Sequence, residues 1–259
     1  MAKHMSSVFN MTMIVPCYNE EKRLDLNYWE HVVLATKDIK WIFIDDGSSD
    51  NTSELLSQIP GGVEVKRLSS NLGKAEALRL GFQDATLQDN EVIGFIDADQ
   101  SFDREEVVQM CKKYRHRAEW NFSNQNYIAV FMSRNSISND VASLGGAFRK
   151  LFGTLVSKIN SAIWSELPSD TQCGFKFFKV SDKLLLALHD SFSNSWFFEI
   201  EMLMRIRSIQ GNPLVINVVP LKYCFHVKDS KTSKGNTLNS VWQVVNVFLK
   251  LISFRMRHL

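Results

Sequence analysis

Short apolar runs rich in β-branched and aromatic residues alternate with helical segments along the first half of the chain. The runs at Thr12–Pro16, Trp41–Ile44, Val63–Leu68 and Ile93–Ile96 are too short for helices and predict buried strands, the first of them ending at its proline. The segments between them begin with capping residues or carry apolar residues at helical spacing. Strand and helix in alternation predict an α/β fold with a mostly parallel sheet flanked by helices.

The second half of the chain is less regular. Asp103 and Glu106 predict a capping box at the start of one helix. After this helix, the predicted strands and helices no longer alternate regularly. The strands are Tyr127–Ser133, Phe175–Val180 and Leu214–Tyr223, and the helices are Ala147–Trp164 and Phe197–Gln210.

The chain carries no repeat, low-complexity segment or linker that would mark a second domain. We therefore expect one domain over residues 8–238, in which residues 8–102 form the more regular first half and residues 103–238 the second half. An amphipathic C-terminal helix is expected over 239–259. No apolar stretch reaches the roughly 20 residues that a membrane-spanning helix needs.

Composition and charge exclude some classes of function for this protein. Hydrophobic residues make up 45% of the chain and charged residues 22%, as in ordinary folded proteins. A net charge of +2 is too small for a polyanion-binding field, so no nucleic-acid partner is expected. The four cysteines lie far apart without a CxxC pair, and the N-terminus lacks a long apolar segment. These features predict a cytoplasmic location, with peripheral binding to the cytoplasmic membrane face left open.

Two carboxylates, Asp97 and Asp99, follow the predicted strand at Ile93–Ile96. On an extended backbone this spacing sends both side chains to the same side. Two such carboxylates repel each other unless a cation lies between them, which indicates a divalent metal site that meets a phosphate-bearing substrate. An acidic turn that caps the next helix is the simpler alternative.

Polar segments gather at the other predicted strand ends and helix starts as well. They are Pro16–Glu20, Asp45–Asp50 and Asn71–Lys74. Because ligands of parallel sheets bind at the carboxyl ends of the strands, these segments and the two carboxylates are expected to form one site.

In these segments the chain resembles family 2 glycosyltransferases of the GT-A fold, a Rossmann-like architecture. The motifs that carry the resemblance are Pro16–Glu21, Asp45–Asp50, Asn71–Ala75 with Arg79, and Asp97–Asp99. A further loop, Asp170–Lys176, is similar to that of dolichyl-phosphate glucosyltransferases and related polyprenyl-phosphate glycosyltransferases.

The resemblance implies a nucleotide-sugar donor, with a UDP-sugar favoured, and Mg²⁺ or Mn²⁺ held by Asp97 and Asp99. Ser101 stands where some relatives carry a further amide ligand. A solvated lysine at position 74 and a solvated helix start at position 20 are the structural alternatives. The donor-binding residues that the resemblance implies are Pro16, Tyr18, Glu20, Asp46, Lys74, Asp97 and Ala98.

The resemblance also implies that residues 8–102 form a nucleotide-binding half and residues 103–238 an acceptor half. It implies an inverting displacement at the anomeric carbon. A hydroxyl acceptor would need a base, for which Asp170 is the candidate, whereas a polyprenyl phosphate is already ionised and needs positioning. Residues implied on the acceptor side, besides Asp170, are Arg134, Arg149, Gln172, Ser230 and Lys231, with Arg149 and Lys231 in a catalytic role.

A polyprenyl phosphate is the favoured acceptor. A hydroxyl-directed glycosyltransferase of polysaccharide or glycolipid synthesis is the enzyme alternative, and a non-catalytic nucleotide-sugar binding protein is the alternative outside enzymes. The oligomeric state is left open. Glu201 matches an acid of the family pattern, with an ordinary helical ion pair to Arg205 as the alternative.

Overall fold

The computed structural model describes residues 8, 10–88, 90–121, 124–134, 168, 170–193, 195 and 198–225. The predicted helices at Ala147–Trp164 and 239–259 lie outside these residues.

Seven strands form one mixed sheet in the order β3-β2-β1-β4-β6-β5-β7. The first four strands along the chain are parallel to one another, as predicted, whereas β6 runs antiparallel to both of its neighbours. Both expected halves of the chain therefore contribute to a single sheet. The strands are β1 Met11–Cys17, β2 Lys40–Asp45, β3 Glu64–Arg67, β4 Val92–Ile96, β5 Tyr127–Ser133, β6 Phe175–Lys179 and β7 Val215–Pro220.

Six α-helices and one 3₁₀ turn accompany the strands in the described part of the chain. The helix Asp182–Ala187 and the 3₁₀ turn Arg117–Glu119 are absent from the sequence prediction. None of the helices among the described residues is both long and apolar enough to cross a membrane. The α-helices are α1 Leu26–Ala35, α2 Thr52–Leu56, α3 Lys74–Thr86, α4 Arg104–Tyr114, α5 Asp182–Ala187 and α6 Phe198–Gln210.

Two hydrophobic clusters cover the two faces of the sheet. On one face, Trp29 of α1 packs edge-on against Trp41 and Phe43, with ring centroids 5.8 and 5.1 Å apart. On the other face, Phe82 of α3 contacts Phe95 of β4, with centroids 6.1 Å apart. Apolar residues on both faces of the strands explain the continuous hydrophobic runs of the sequence.

β1 extends one residue beyond its proline, which corrects the predicted strand end. Pro16 pairs with Ile44 of β2, whereas β4 pairs with β1 only from Met11 to Ile14. Past Ile14 the strand pairs on one side only within the described part of the chain, so a residue without an amide hydrogen is accommodated there.

The predicted capping box at the start of α4 is half correct. Asp103 accepts a hydrogen bond from the amide of Glu106 at 3.0 Å, as a helix cap should. The Glu106 carboxylate accepts instead from the amides of Lys222 and Tyr223, at 2.8 and 3.2 Å. The side chain thus joins α4 to the segment after β7.

Gly94 allows three central strands to pack closely. A Cβ atom at this position would lie 2.3 Å from Met13 Sδ and 2.9 Å from Phe177 Cδ1. We expect Gly94→Ala to reduce the free energy of unfolding by about 1–3 kcal/mol, because an overpacked core forces its neighbours to shift. Urea denaturation measures this change. Gly62→Asn is the matched control, since Gly62 is open to solvent and asparagine tolerates its positive φ; an equal loss in both variants would contradict the role of close packing.

Candidate active site

Hydrogen bonds interlock the loops that follow β1 and β2. The Asn19 amide donates to Ser48 Oγ at 2.9 Å, and the Ser49 amide donates back to Asn19 Oδ1 at 2.8 Å. The Glu20 amide donates to Thr52 Oγ1 at 2.7 Å. Asn19 has a φ of 49°, a left-handed conformation that asparagine tolerates better than most residues. These contacts hold two of the predicted donor-binding segments against each other.

Asp46 supports the loop that leads into α3. Its two carboxylate oxygens accept hydrogen bonds from the amides of Leu72 and Gly73, at 2.7 and 2.8 Å. Burial raises the pKa of Asp46 above its usual value, while the two amide hydrogen bonds oppose the shift. The side chain therefore places the start of α3, and with it Lys74, at the end of the sheet.

Asp97 meets Lys74 and the loop before β6. Lys74 Nζ lies 2.5 Å from Asp97 Oδ1, and the Asp97 amide donates to the carbonyl oxygen of Gly174 at 2.9 Å. A Cβ atom at Gly174 would lie 2.1 Å from Asp97 Oδ2, so only glycine leaves room for the carboxylate. Burial alone would lower the pKa of Lys74, but the charges of Asp97, Glu199 and Asp99 hold it above its usual value.

The chemistry of the Asp97 and Asp99 side chains fits a hard divalent cation. Asp99 is half-buried, and its Oδ1 accepts a hydrogen bond from the Ser101 amide at 3.2 Å. Among the described residues, no group of three His, Cys, Asp or Glu side chains is arranged to hold a metal. Magnesium-type sites commonly use one or two carboxylates and take their other ligands from water and substrate phosphates. The pair therefore suits a metal that arrives with a diphosphate.

Asp170 forms a bidentate ion pair with Arg134, the residue that follows β5. Arg134 Nε and Nη2 donate to the two carboxylate oxygens at 3.0 and 2.8 Å, and the Arg134 amide adds a third bond at 2.9 Å. Burial alone would raise the pKa of Asp170, but the hydrogen bonds and charge of Arg134 hold it below its usual value. A carboxylate bound in this way is a weak proton acceptor, which disfavours Asp170 as a general base.

A buried ion pair behind the site is missing from the sequence prediction. Lys176 of β6 is 0% exposed, and its Nζ donates to Glu199 Oε1 at 3.1 Å and to the carbonyl oxygen of Cys173 at 2.7 Å. Glu199, in the first turn of α6, is 3% exposed. A lysine within the apolar run Phe175–Phe178 is the signal that could have revealed it, since a buried lysine needs an anionic partner.

The segment after β7 reaches the Asp97–Asp99 turn. The Phe225 amide donates to the carbonyl oxygen of Ser101 at 2.7 Å, and Cys224 forms an isolated β-bridge with Phe102. The Tyr28 hydroxyl donates to the Phe102 carbonyl oxygen at 3.0 Å. Residues far apart in the sequence therefore hold the segment that follows Asp99.

The remaining predicted residues fall into three groups. Pro16 and Tyr18 are half-buried at the end of β1, and Ala98 is buried between Asp97 and Asp99 in the sequence. Glu20 pairs with Arg23, whose Nη2 donates to Glu20 Oε1 at 2.6 Å. The predicted acceptor-side residues Arg149, Ser230 and Lys231 lie outside the described residues.

Two other charged residues of the motifs form ion pairs within their own helices. Arg79 pairs with Glu76 of α3 and also donates to the carbonyl oxygen of Leu188 at 3.1 Å. Arg205 Nη2 donates to Glu201 Oε1 at 2.7 Å within α6. The helical pair named as the alternative for Glu201 is therefore present, and Arg79 has an acid as its partner.

Comparison with known proteins gives the relatives of this chain. The model of the family described as "Glycosyl transferase family 2" matches residues 12–140. Human dolichyl-phosphate beta-glucosyltransferase is 29% identical over 211 residues, which make up 74% of this chain and 61% of the human protein. The enzyme of the same name from Drosophila melanogaster is 30% identical over 223 residues, 76% of this chain and 63% of the fly protein. The chain thus spans less than two thirds of the length of both relatives.

Solved structures share the fold. Glucosyl-3-phosphoglycerate synthase from Mycobacterium tuberculosis, in complex with Mn²⁺, UDP and glucosyl-3-phosphoglycerate, superimposes with a TM-score of 0.59 at 16% identity. The match covers 96% of this chain and 80% of that protein. A second complex of the mycobacterial protein contains Mg²⁺ and UDP. At this identity the likeness bears on the fold alone, and it confirms the predicted GT-A architecture. The family model and the sequence relatives therefore place residues 12–140 in glycosyltransferase family 2.

Proposed function

We propose that this chain is an inverting hexosyltransferase that uses a divalent metal ion to move a hexose from a nucleotide sugar to a polyprenyl phosphate. A UDP-sugar is the favoured donor. The observation that carries the proposal is the meeting of Asp97 and Lys74 at the carboxyl end of the parallel strands, beside Asp99. The sequence relationship to dolichyl-phosphate glucosyltransferases supports the choice of acceptor.

The donor half of the proposal gives each side chain a distinct role. Pro16, Tyr18, Glu20 and Ala98 would line the base and ribose, because the interlocked loops bring their segments to one edge of the sheet. Asp46 contributes indirectly, since both of its oxygens already hold loop amides. Its carboxylate keeps the loop before α3 in place.

Asp97 and Asp99 would hold the Mg²⁺ or Mn²⁺ ion. Such an ion, when bound, neutralises the charge that develops on a diphosphate leaving group. Lys74 adds a positive charge at the same edge of the sheet, beside the start of α3. The side chains therefore orient the donor and balance its charge, while no protein group has to transfer a proton to the leaving group.

The part of the proposal that concerns the acceptor depends on Arg134, Asp170 and Gln172. A phosphate acceptor is already ionised near neutral pH and requires a positive partner rather than a base. Arg134 is 43% exposed in its side chain while Asp170 is 8% exposed, so the guanidinium is held by Asp170 and can also face a phosphate. The buried amide nitrogen of Gln172 has no hydrogen-bond partner among the described residues and offers a further donor.

A polyprenyl chain partitions into a membrane, so the proposal includes a peripheral position at the membrane surface that contains the acceptor. Arg149, Ser230 and Lys231 stay predicted contributors to acceptor binding. The division into a donor half, an acceptor half and a C-terminal helix stays a prediction as well.

A matched pair of acceptors tests the proposal. The purified chain is incubated with Mn²⁺ and radiolabelled UDP-glucose, UDP-galactose, UDP-N-acetylglucosamine or GDP-mannose, together with a polyprenyl phosphate or the polyprenol of equal length in detergent. We expect a labelled lipid from one donor with the phosphate only, because the polyprenol would need a base. Transfer to the polyprenol, or no transfer from any donor, would contradict the proposed acceptor or the proposed enzyme, respectively.

Gly174→Ala should disturb the metal site without a change in any ligand. The new Cβ atom would overlap Asp97 Oδ2, so the carboxylate has to move. We expect Mn²⁺-dependent thermal stabilisation by UDP to be lost to the same extent as in Asp97→Asn. Combining the two substitutions should add little, since both act on one carboxylate. Full stabilisation of Gly174→Ala by Mn²⁺ and UDP would show that Asp97 is not a ligand.

Asp170→Asn distinguishes a role of Asp170 in positioning Arg134 from a role as general base. If Asp170 orients Arg134, the KM for polyprenyl phosphate should rise about tenfold, while kcat falls far less than the roughly 10²–10⁴-fold loss typical of a missing general base. Asp182→Asn, at an exposed carboxylate in α5, is the control. A loss confined to kcat, accompanied by loss of the acidic limb of the pH–rate profile, would instead make Asp170 the base.

A further inference from the structure

The α5–α6 segment, described at residues 188–193 and 195, runs along α3 toward the candidate site. Arg79, in the middle of α3, donates to the carbonyl oxygen of Leu188 at 3.1 Å. One turn nearer the start of α3, a carboxylate oxygen of Glu76 accepts a hydrogen bond from Ser191 Oγ at 3.4 Å. The segment therefore follows α3 back toward its first residue.

The segment reaches the start of α3 at Ser195, whose side chain acts as a helix cap. Ser195 Oγ accepts a hydrogen bond from the Ala75 amide at 3.4 Å. Gly73, in the N-cap position, has no side chain for this role, and its φ of 88° suits glycine. A Cβ atom at Gly73 would lie 2.9 Å from Ser195 Oγ, so the glycine also leaves room for the serine. Ser195 thus caps the helical turn that carries Lys74.

Arg205 of α6 holds the same segment from a second helix. Its guanidinium donates to the carbonyl oxygens of Asp190 and Ser191, at 2.6 and 2.8 Å. Glu201, one turn earlier in α6, accepts a hydrogen bond from Arg205 Nη2 at 2.7 Å and another from the Ser193 amide at 2.8 Å. Side chains of α3 and α6 therefore hold the segment largely through its backbone.

The arginines of α3 and α6 form ion pairs that are more enclosed than ordinary surface pairs. The exposed side-chain fractions are 11% and 19% for Arg79 and Glu76, and 16% and 13% for Arg205 and Glu201. Burying charges costs desolvation free energy, so such pairs are weak evidence for a stabilising role. Their guanidinium groups instead provide hydrogen-bond donors for the carbonyl groups of an irregular segment, which favours one conformation of that segment.

We propose that Arg79 and Arg205 are positioning residues of the candidate site. They hold the α5–α6 segment so that Ser195 caps α3 and fixes the turn that carries Lys74. The inference rests on the proposed function, in which Lys74 balances the charge of the donor. A donor then meets a start of α3 that is already ordered, whereas release of the segment would leave only a fraction of the molecules ready to bind.

Hydrogen exchange of the Ala75 amide tests this role in the full chain without any ligand. Its rate is measured by amide–water exchange NMR, with the Leu78 amide in the middle of α3 as the internal reference. Ser195→Ala should accelerate exchange at Ala75 about fivefold, the usual effect of a lost helix cap. Arg205→Met should do the same from another helix. The double variant should exchange little faster than either single one, because both act through one cap.

Three results would overturn the inference. They are unchanged exchange of the Ala75 amide in Arg205→Met, additive effects in the double variant, and an equal acceleration at Leu78, which would indicate a global loss of stability. Arg115→Met is the matched control. Arg115 pairs with Asp38 at 3.2 Å, near the amino end of β2, and its loss should leave the Ala75 amide unchanged.

The Kd for UDP in the presence of Mn²⁺ distinguishes positioning of the site from a structural role of Arg205. Measured by calorimetry, the Kd should rise about fivefold in Arg205→Met, since the binding-competent conformation becomes a minor fraction. Arg205→Lys keeps the charge but not the planar fork of donors, so it should give an intermediate Kd. It also replaces Arg205→Met if that variant does not fold. An unchanged Kd with a lowered midpoint of thermal unfolding would make the arginine merely structural and overturn the inference.

The same measurements separate this inference from the proposed function. If the natural chain shows no Mn²⁺-dependent UDP binding, the proposed function is contradicted. Normal UDP binding together with unchanged exchange of the Ala75 amide in Arg205→Met would contradict this inference alone.

Discussion

The backbone hydrogen bond from the Asp97 amide to the Gly174 carbonyl oxygen joins the two sides of the candidate site. It exists because β6 runs antiparallel to β4, so that the chain enters β6 at the edge of the sheet where β4 ends. The loop that carries Asp170 and Gln172 thereby lies beside Asp97. A parallel β6 would have brought that loop to the opposite edge of the sheet, about 15 Å or more away for a strand of this length. Because of this reversal, the residues proposed to bind the acceptor and those proposed to bind the donor lie at the same edge of the sheet.

Charge balance is the second constraint on the site. Asp46, Asp97 and Asp170 lie near one edge of the sheet. The negative charge of each carboxylate is balanced by a different kind of partner. Asp46 binds two loop amides, Asp97 meets Lys74, and Asp170 holds Arg134 by two hydrogen bonds. Of the three carboxylates, only Asp97 has an ammonium group as its partner, and it is also one of the two proposed metal ligands. In the proposed function, a donor with its metal ion would displace the Lys74 side chain from Asp97.

The low pKa of Asp170 bears on the choice between acceptors. A hydroxyl acceptor demands a base, and the ion pair with Arg134 makes this carboxylate a poor one. A phosphate acceptor demands positive charge and hydrogen-bond donors, which Arg134 and Gln172 would provide in the proposed function. The geometry thus supports the lipid-phosphate acceptor that the resemblance of the Asp170 loop implied, through a role for Asp170 that the sequence interpretation had not assigned.

Local sequence determined the strands and helices of the first half, the parallel βαβ arrangement and the clustering of polar segments at the strand ends. Periodicity and capping act over a few residues, so they can be read without knowledge of the fold. The partners of the site residues were decided by the tertiary structure: Gly174 for Asp97, Arg134 for Asp170, and Glu199 for Lys176. These contacts join segments distant in the sequence, and they depend on the position and direction of β6, which no local pattern encodes.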